Sequence, residues 1–557
     1  MAAPYDILAP VKRRIVRLSA REQNIAAALV YLAGMLCLFV TAPHNGEFWW
    51  SDAPRHALNG VFVKDLVSAV PGDPRAWAMQ YYVKYPALTI LFYPPLFYLI
   101  SAPFYAVFGV SHATALAVVL VHFFALTLGL YFIARLWLDW ASSLAVGLAA
   151  LGAPAIALWG RQVMLDVPVT AFAVWSVLAG LHYLRSQRPQ YLYAAIVLLL
   201  CAVYTKLNAA FLFIPLATAI LAQRKLKAFL DPQIWLAAMF ATLGMIPAII
   251  LTLKFGAANV QSVVDTNLGI QQTGRLARWL WYGRRVPETV GWPITIVAAA
   301  FPILWIIGRR PKGMTGSEAL LLAGWYLTGY VMLSVIELKE VRDAVIIAPA
   351  LVLFAALAWR AAAGTASLSS AVFLMGAIAI AATTIVFDQV PRVAGYREAA
   401  SWIAQHAPRG AVVVFSGERD GSYVWNMRTM QQRPDITTVR SDKLLLSISV
   451  TRLRGVKAKD FSEPQIASML DNDGVSYVVA QDDFWQDIPV MKRFDDLLHS
   501  SHFREVNRIA TTSNVPVRDK VIRIYKNEDP INHHAESIQL DLPVIGQQVH
   551  GNLMGPN

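Results

Sequence analysis

Phe48-Trp49-Trp50-Ser51-Asp52-Ala53-Pro54-Arg55-His56-Ala57-Leu58-Asn59-Gly60 follows the first long apolar run, 24–41, of a 557-residue chain. A carboxylate and a guanidinium stand three residues apart beside paired tryptophans. Tryptophan pairs mark membrane–water interfaces. An ionisable pair at that depth is retained for function, because placing charge there is costly. Asp52 is therefore the first candidate functional residue.

Working outward, 56% of the chain is hydrophobic and 15% is charged, and apolar runs near the length of a bilayer crossing recur. The composition predicts a polytopic α-helical membrane protein with a polar tail. The net charge of +12 invites a nucleic-acid reading. The basic residues, however, cluster beside apolar runs, as topology signals do, so no nucleic-acid partner is expected. Lys12, Arg13, Arg14, Arg17 and Arg21 precede the first run and predict a cytoplasmic N-terminus, 1–23. No cleavage signal follows, so the run is expected to remain as an anchor. Cys37 and Cys201 both fall in apolar runs and offer neither a disulfide framework nor zinc spacing.

Further spans are expected near 112–134, 142–159, 168–184, 190–205, 207–223, 233–253, 291–308, 317–336, 342–359 and 367–387, about eleven in all with the first. The apolar segment 88–110 is long enough to cross, but Pro94-Pro95 and Pro103 interrupt it. If it stays at the surface, Arg135, Arg185, Arg188, Arg224, Lys225, Lys227, Arg309, Arg310, Lys312 and Arg360 all face the cytoplasm. The positive-inside rule favours that arrangement. It makes 44–110, 160–167 and 254–290 outer loops of a membrane domain, 24–387, and puts Asp166 on the same side as Asp52. The basic loop 254–290 runs against the rule. Its arginines alternate with Trp279, Trp281 and Tyr282, which suits a helix lying on the surface. After 388 the texture changes to that of a soluble α/β domain, 388–529, expected outside the cell membrane. Helices are predicted at 396–406 and 463–471, and strands at 411–416, 476–480 and 521–526. The tail, 530–557, is rich in Asn, Gln, Gly and Pro and is expected to be loosely ordered.

Asp52-x-x-Arg55-His56 resembles the Asp-Glu-x-Arg-Tyr motif of the lipid A aminoarabinose transferases. More broadly the chain resembles the protein O-mannosyltransferase-related glycosyltransferases of the GT-C fold. Tyr93-Pro94-Pro95-Leu96-Phe97-Tyr98 resembles their juxtamembrane Pro-Pro-Leu-Tyr segment. Arg161 to Pro168 resembles their second acidic loop, Thr205-Lys206 a Thr-Lys pair, and Lys339-Glu340-Val341-Arg342-Asp343 a Lys-x-x-Arg-Tyr segment. The motifs occur in the family's order over 25–390. Ala53 replaces an acidic residue, His56 a tyrosine, and Lys84 stands apart from the prolines that a lysine directly precedes in the aminoarabinose transferases.

The resemblance implies an inverting glycosyltransferase that takes a sugar from a polyprenyl phosphate and passes it to an acceptor at the outer face of the plasma membrane. Such chemistry needs a carboxylate base, cations on the leaving phosphate and an apolar groove for the isoprenoid. Asp52 is the expected base; its other reading is a helix cap. Asp166 would orient the acceptor or support Asp52, or else be an N-cap before Pro168. A divalent cation, if one is used, would fall to Asp52 and Asp166. Arg55 is the leading phosphate ligand, its rival role being a salt bridge. Lys206, Arg342, Lys84, Arg275 and Arg278 are the other cations assigned to the phosphate. Tyr93, Pro94, Pro95, Phe97 and Tyr98 are assigned to the lipid groove, with an ordinary aromatic belt as the alternative. The partners expected are a polyprenyl-phosphate-linked sugar, membrane lipids and an acceptor that is a protein, a lipid or a glycan. No nucleotide-binding loop is found, consistent with a donor activated by its phosphoester. The competing class is a transporter or lipid flippase, which would carry charged or broken helices at mid-membrane and repeated halves.

Overall fold

The structure, a computed structural model, describes residues 18–255, 274–364, 366–430, 433–448, 456–528, 530, 538–542 and 547–551. Residues 1–17 of the predicted cytoplasmic N-terminus (1–23), part 256–273 of the long loop, and 531–537, 543–546 and 552–557 of the tail lie outside these residues.

Seven described helices are long and apolar enough to cross a membrane, or eight if one bent pair counts as a span. α1 (Ala20–Thr41) opens on a capping box between Ser19 and Glu22 and is mostly exposed, as a lipid-facing helix is. Three short helices lie at its far end: α2 (Asp52–Ala69), α3 (Pro74–Lys84) and α4 (Leu96–Phe108). α4 begins directly after Pro94-Pro95 and stops at Gly109, whose φ is +79°. Its 13 residues rise about 20 Å, short of the ~30 Å hydrocarbon core.

The bundle continues with α5 (His112–Ala134), α6 (Trp140–Leu151), α7 (Pro154–Gly160), α8 (Asp166–Ser186), α9 (Pro189–Thr205), α10 (Phe213–Arg224) and α11 (Pro232–Phe255). The straight span expected over 142–159 is instead broken, α6 and α7 meeting at 64°. Pro154 has no N–H to continue the ladder. Gly152 lets the backbone of a later helix come close: a Cβ there would sit 2.7 Å from backbone atoms of Ala381.

After the long loop come α12 (Arg275–Arg284), the expected amphipathic surface helix, then α13 (Val286–Val290), α14 (Trp292–Ile306), α15 (Gly316–Val335), α16 (Ala348–Ala363) and α17 (Ser367–Phe387). Two spans start later than expected. Leu207–Leu212 precedes α10 and Val341–Ile346 precedes α16, each as a tight 3-10 turn. Pro349 sits in the first turn of α16 and disfavours helix just before it. Both turns lie at the same end of the bundle as α2, so they lift Lys206 and Arg342 off the helix axes.

The C-terminal domain is built on a five-stranded sheet in the order Thr437–Arg440, Val412–Ser416, Val475–Gln481, Val521–Asn527, Phe503–Ala510. The first three strands are parallel and the last two antiparallel. Within the tail expected to be loose, Ile538–Leu542 and Gln547–Gly551 pair as an antiparallel hairpin. The alternation of Ile538, Leu540 and Leu542 with polar residues suits a strand.

Candidate active site

α2, α8 and the two 3-10 turns converge at one end of the bundle. Asp52 is the first residue of α2, where the helix dipole favours a carboxylate. Its Oδ2 accepts a hydrogen bond from Arg342 Nη1 at 3.0 Å, although 290 positions separate the two. Arg342 Nε also donates to Glu340, and its guanidinium lies over the Trp50 ring, 5.1 Å from the centroid. Lys206 Nζ donates to Asp166 Oδ1 at 2.8 Å and to Asp343 Oδ1 at 3.0 Å. Asp166 also acts on the Arg342 charge. The two acidic loops therefore share one cluster, in which four carboxylates meet two cations. Asp166 is the first residue of α8 and makes no side-chain cap bond. Its alternative reading as an N-cap gives way to the contact with Lys206.

Burial pushes the Asp52 carboxyl up, but Arg342, aided by the neighbouring basic groups, outweighs it and holds the group below the usual carboxylate range. Burial also lowers the His56 imidazole to about 4, so the ring is neutral at neutral pH. Its Nδ1 pairs with the Tyr98 hydroxyl at 2.9 Å, and its face meets Tyr93 at 4.9 Å between centroids. Burial disfavours the Lys206 ammonium, yet Asp166 and Asp343 raise it above the usual lysine range. Glu340 is pushed up by burial and stays raised despite Arg342. Asp52 keeps 26% of its side chain exposed against 13% for Arg342; the carboxylate is the more open of the pair.

Several expected ligands lie elsewhere. Arg55 turns to the C-terminal domain, its Nη2 donating to both Asp420 oxygens at 2.7 and 2.8 Å. The salt bridge, not the open phosphate ligand, is the arrangement found. Lys84 lies at the domain interface beside Arg428, Asp435 and Asp65. Arg278 pairs with Glu337 at 3.1 Å, near the cluster's far side, while the side chain of Arg275 lies outside the described residues. Of the groove residues, Tyr93 and Pro95 are half-buried, Pro94 is buried, and Phe97 and Tyr98 are fully enclosed. Phe97 packs on His122 and Tyr98 on His56. Those two hold the protein together and present no surface to a lipid tail. Asp52 and Asp166 are each bonded to a basic side chain, and among the described residues no group of three acidic, His or Cys side chains is placed to hold a metal ion.

Glu340 and Asp343 escaped assignment, although both stand in the quoted stretch 339–343. Lys339, in the same stretch, caps α15 by donating to the carbonyls of Leu333 at 2.6 Å, Ser334 at 2.8 Å and Ile336.

Residues 93–251 match the family model described as dolichyl-phosphate-mannose-protein mannosyltransferase. No curated protein sequence matches the chain significantly. Among solved structures, ArnT from Cupriavidus metallidurans bound to undecaprenyl phosphate superposes with a TM-score of 0.60 at 14% identity, covering 92% of this chain and 100% of that one. The fold is that of the GT-C membrane glycosyltransferases. The oligosaccharyltransferase AglB from Archaeoglobus fulgidus, in complex with an inhibitory peptide and a dolichol-phosphate, gives 0.51 at 13% identity over 93% of this chain and 78% of that one. The mycobacterial arabinofuranosyltransferase AftD gives 0.51 at 16% identity over 95% of this chain, but only 43% of its own length is matched. The GT-C fold expected from the motifs is thus borne out. The family-model match takes in Asp166 and Lys206 and stops short of Asp52 and Arg342 on either side.

Proposed function

We propose that this chain is an inverting glycosyltransferase that moves a sugar from a polyprenyl-phosphate donor to an acceptor at the outer face of the plasma membrane, with Asp52 as general base. In this reading the acceptor's nucleophilic oxygen attacks the anomeric carbon as the bond from that carbon to the phosphate oxygen breaks. The acceptor's proton passes to the Asp52 carboxylate, and the polyprenyl phosphate leaves carrying the negative charge. Arg342 and Lys206, with Arg278 further out, are the cations that would meet that charge. Asp166 and Asp343 orient Lys206, and Tyr93 forms the wall next to the base.

The observation that carries the reading is the joining of Asp52 and Asp166, from distant parts of the chain, through one Arg342–Lys206 cluster at the bundle end. Buried Trp50 Nε1, Asn208 Oδ1 and Glu337 Oε2, on residues of this end, have no hydrogen-bond partner among the described residues. Buried polar groups are ordinarily satisfied, so these atoms suit contact with a polar ligand. The base is ionised at neutral pH and partly open, as proton acceptance requires. The lipids named with ArnT and AglB fit a polyprenyl-phosphate carrier here by analogy of fold.

The test is transfer by the purified chain from a panel of polyprenyl-phosphate sugars, read by mass spectrometry of envelope glycans and glycolipids. Asp52→Asn is expected to abolish product while the protein stays monodisperse. Full turnover by that variant would overturn the base assignment. Counterflow of a sugar lipid across vesicles without a new glycosidic bond would identify a transporter instead.

A further inference from the structure

Arg55 lies one helical turn beyond Asp52, yet its guanidinium is claimed by another domain. Asp420 accepts from Arg55 and, at 2.6 Å, from Arg440. Arg440 in turn reaches Asp442 at 2.6 Å and the Pro86 carbonyl at 3.2 Å. These four side chains are all between 7% and 19% exposed. Further along α2, Asp65 accepts from Arg428 Nη2 at 2.6 Å and from the Tyr81 hydroxyl at 2.9 Å.

Asp420 and Arg428 stand at the two ends of one helix, Asp420–Thr429. Arg55 to Asp65 spans about 15 Å of α2 and Asp420 to Arg428 about 12 Å of its neighbour, at 1.5 Å per residue. The helices therefore run side by side in the same direction. The two ion pairs are of opposite sense. Reversing either helix would set Arg55 against Arg428 and Asp65 against Asp420, like against like. Close approach is permitted by Gly421, where a Cβ would sit 3.0 Å from the Pro54 ring. Arg419, beside Asp420, also donates to the Trp49 carbonyl, and Asn426 Nδ2 to the Gly46 carbonyl at 3.3 Å. The C-terminal domain thus grips both ends of α2 and the loop leading into it.

We propose that Asp420 is a positioning residue for transfer: it draws Arg55 away from Asp52 and, together with Arg428, fixes the catalytic helix against the C-terminal domain. The domain is then part of the active-site framework rather than an acceptor-recruiting appendage. The claim rests on the reading of Asp52 as base. Without Asp420, Arg55 is left beside Arg440, and like-charge repulsion drives it back along α2 towards Asp52. Asp52 faces His56 on its own helix, Arg342 from the second 3-10 turn, Tyr93 from the segment before α4 and Tyr98 on α4. Arg55 would add a second direct cation and make the carboxylate a weaker proton acceptor.

The experiment uses the full chain in nanodiscs. Asp420→Asn should speed amide exchange in α2 about tenfold or more. It should also lower kcat about tenfold or more, since small misplacements at a reacting centre are costly, and move the acid limb of the pH–rate profile to lower pH. Asp420→Glu should keep the wild-type limb, and adding Arg55→Leu to Asp420→Asn should restore it. Wild-type exchange and pH profile in Asp420→Asn, or a double variant with the same limb as Asp420→Asn, would overturn the proposal. Should Asp420→Asn not fold, Arg55→Leu alone decides. It should loosen the first turns of α2 while binding undecaprenyl phosphate within about twofold of wild type; unchanged exchange, or a tenfold loss of binding, would refute the latch. If the wild type transfers sugar from no donor, the proposed function fails, while the exchange measurements still decide the latch.

Discussion

Replacing Arg342 with Gln tests the electrostatics of the site most directly. The guanidinium lies 3.0 Å from Asp52 Oδ2 and is the main group holding that carboxyl below its usual range. Charge centres about 4 Å apart interact by about 4 kcal/mol at an effective dielectric of 20. Solvent reaching the partly exposed carboxylate screens the pair, so this is an upper bound. Burial opposes ionisation of Asp52 and is unrelieved in the variant, so its pKa moves upward, towards the neutral range. The sign follows: in the wild type Asp52 is ionised down to acidic pH, so if it is the base proposed above, activity should fall only below the ordinary carboxylate value of about 4. In Arg342→Gln the acid limb of kcat/KM should move to higher pH. Above that limb the rate should remain about a hundredfold low, because a donor to the leaving group is missing. The assay is a pH series of initial rates with one donor at fixed acceptor. A uniformly slow variant whose acid limb stays in place would refute the ion pair as the determinant of Asp52 ionisation.

Gly152→Val should lower stability by about 1–3 kcal/mol, because the new side chain meets the backbone of α17 and cannot be relieved by a rotamer change; a thermal melt in detergent reads this. Glu318, buried and bonded to Arg185 at 2.5 Å, also closes the capping box of α15 with Thr315. Glu318→Ala should cost about 3 kcal/mol by leaving Arg185 without its acidic partner and the Thr315 N–H without its acceptor, and a melting temperature equal to wild type would refute that. For the topology, single cysteines at exposed Arg188 and Lys312 in a cysteine-free background should resist an impermeant maleimide in intact cells. One at exposed Ser468 in the C-terminal domain should react, and the inverse pattern would turn the whole arrangement over.

Much of the architecture is legible in the chain because bilayer crossing is a one-dimensional constraint. Apolar run length, proline position and the placement of Lys and Arg mark most helices without knowledge of their neighbours. Helix Tyr396–His406 falls at its expected bounds, and strand Val412–Ser416 within one residue of them. The broken span at Pro154 was written in its Gly-Ala-Pro, yet composition over 142–159 reads as one run, since hydropathy averages over the very residue that bends it. The 3-10 turns below α10 and α16 were likewise hidden in apolar runs.

What the sequence by itself determined is the kind of protein and the identity of the acidic and basic residues that could meet: Asp52, Asp166, Lys206 and Arg342 are conspicuous as charges at the ends of apolar runs. Which of them do meet was decided by tertiary structure. Arg55 and Arg342 look alike in sequence, each a few residues from a carboxylate, but one faces Asp52 and the other Asp420. Phe97 and Tyr98 read as lining a lipid groove until packing enclosed them. The physical reason is that ion pairing and burial depend on the direction of a side chain in space. Local sequence specifies the helix that carries the residue, while the helices around it select the partner.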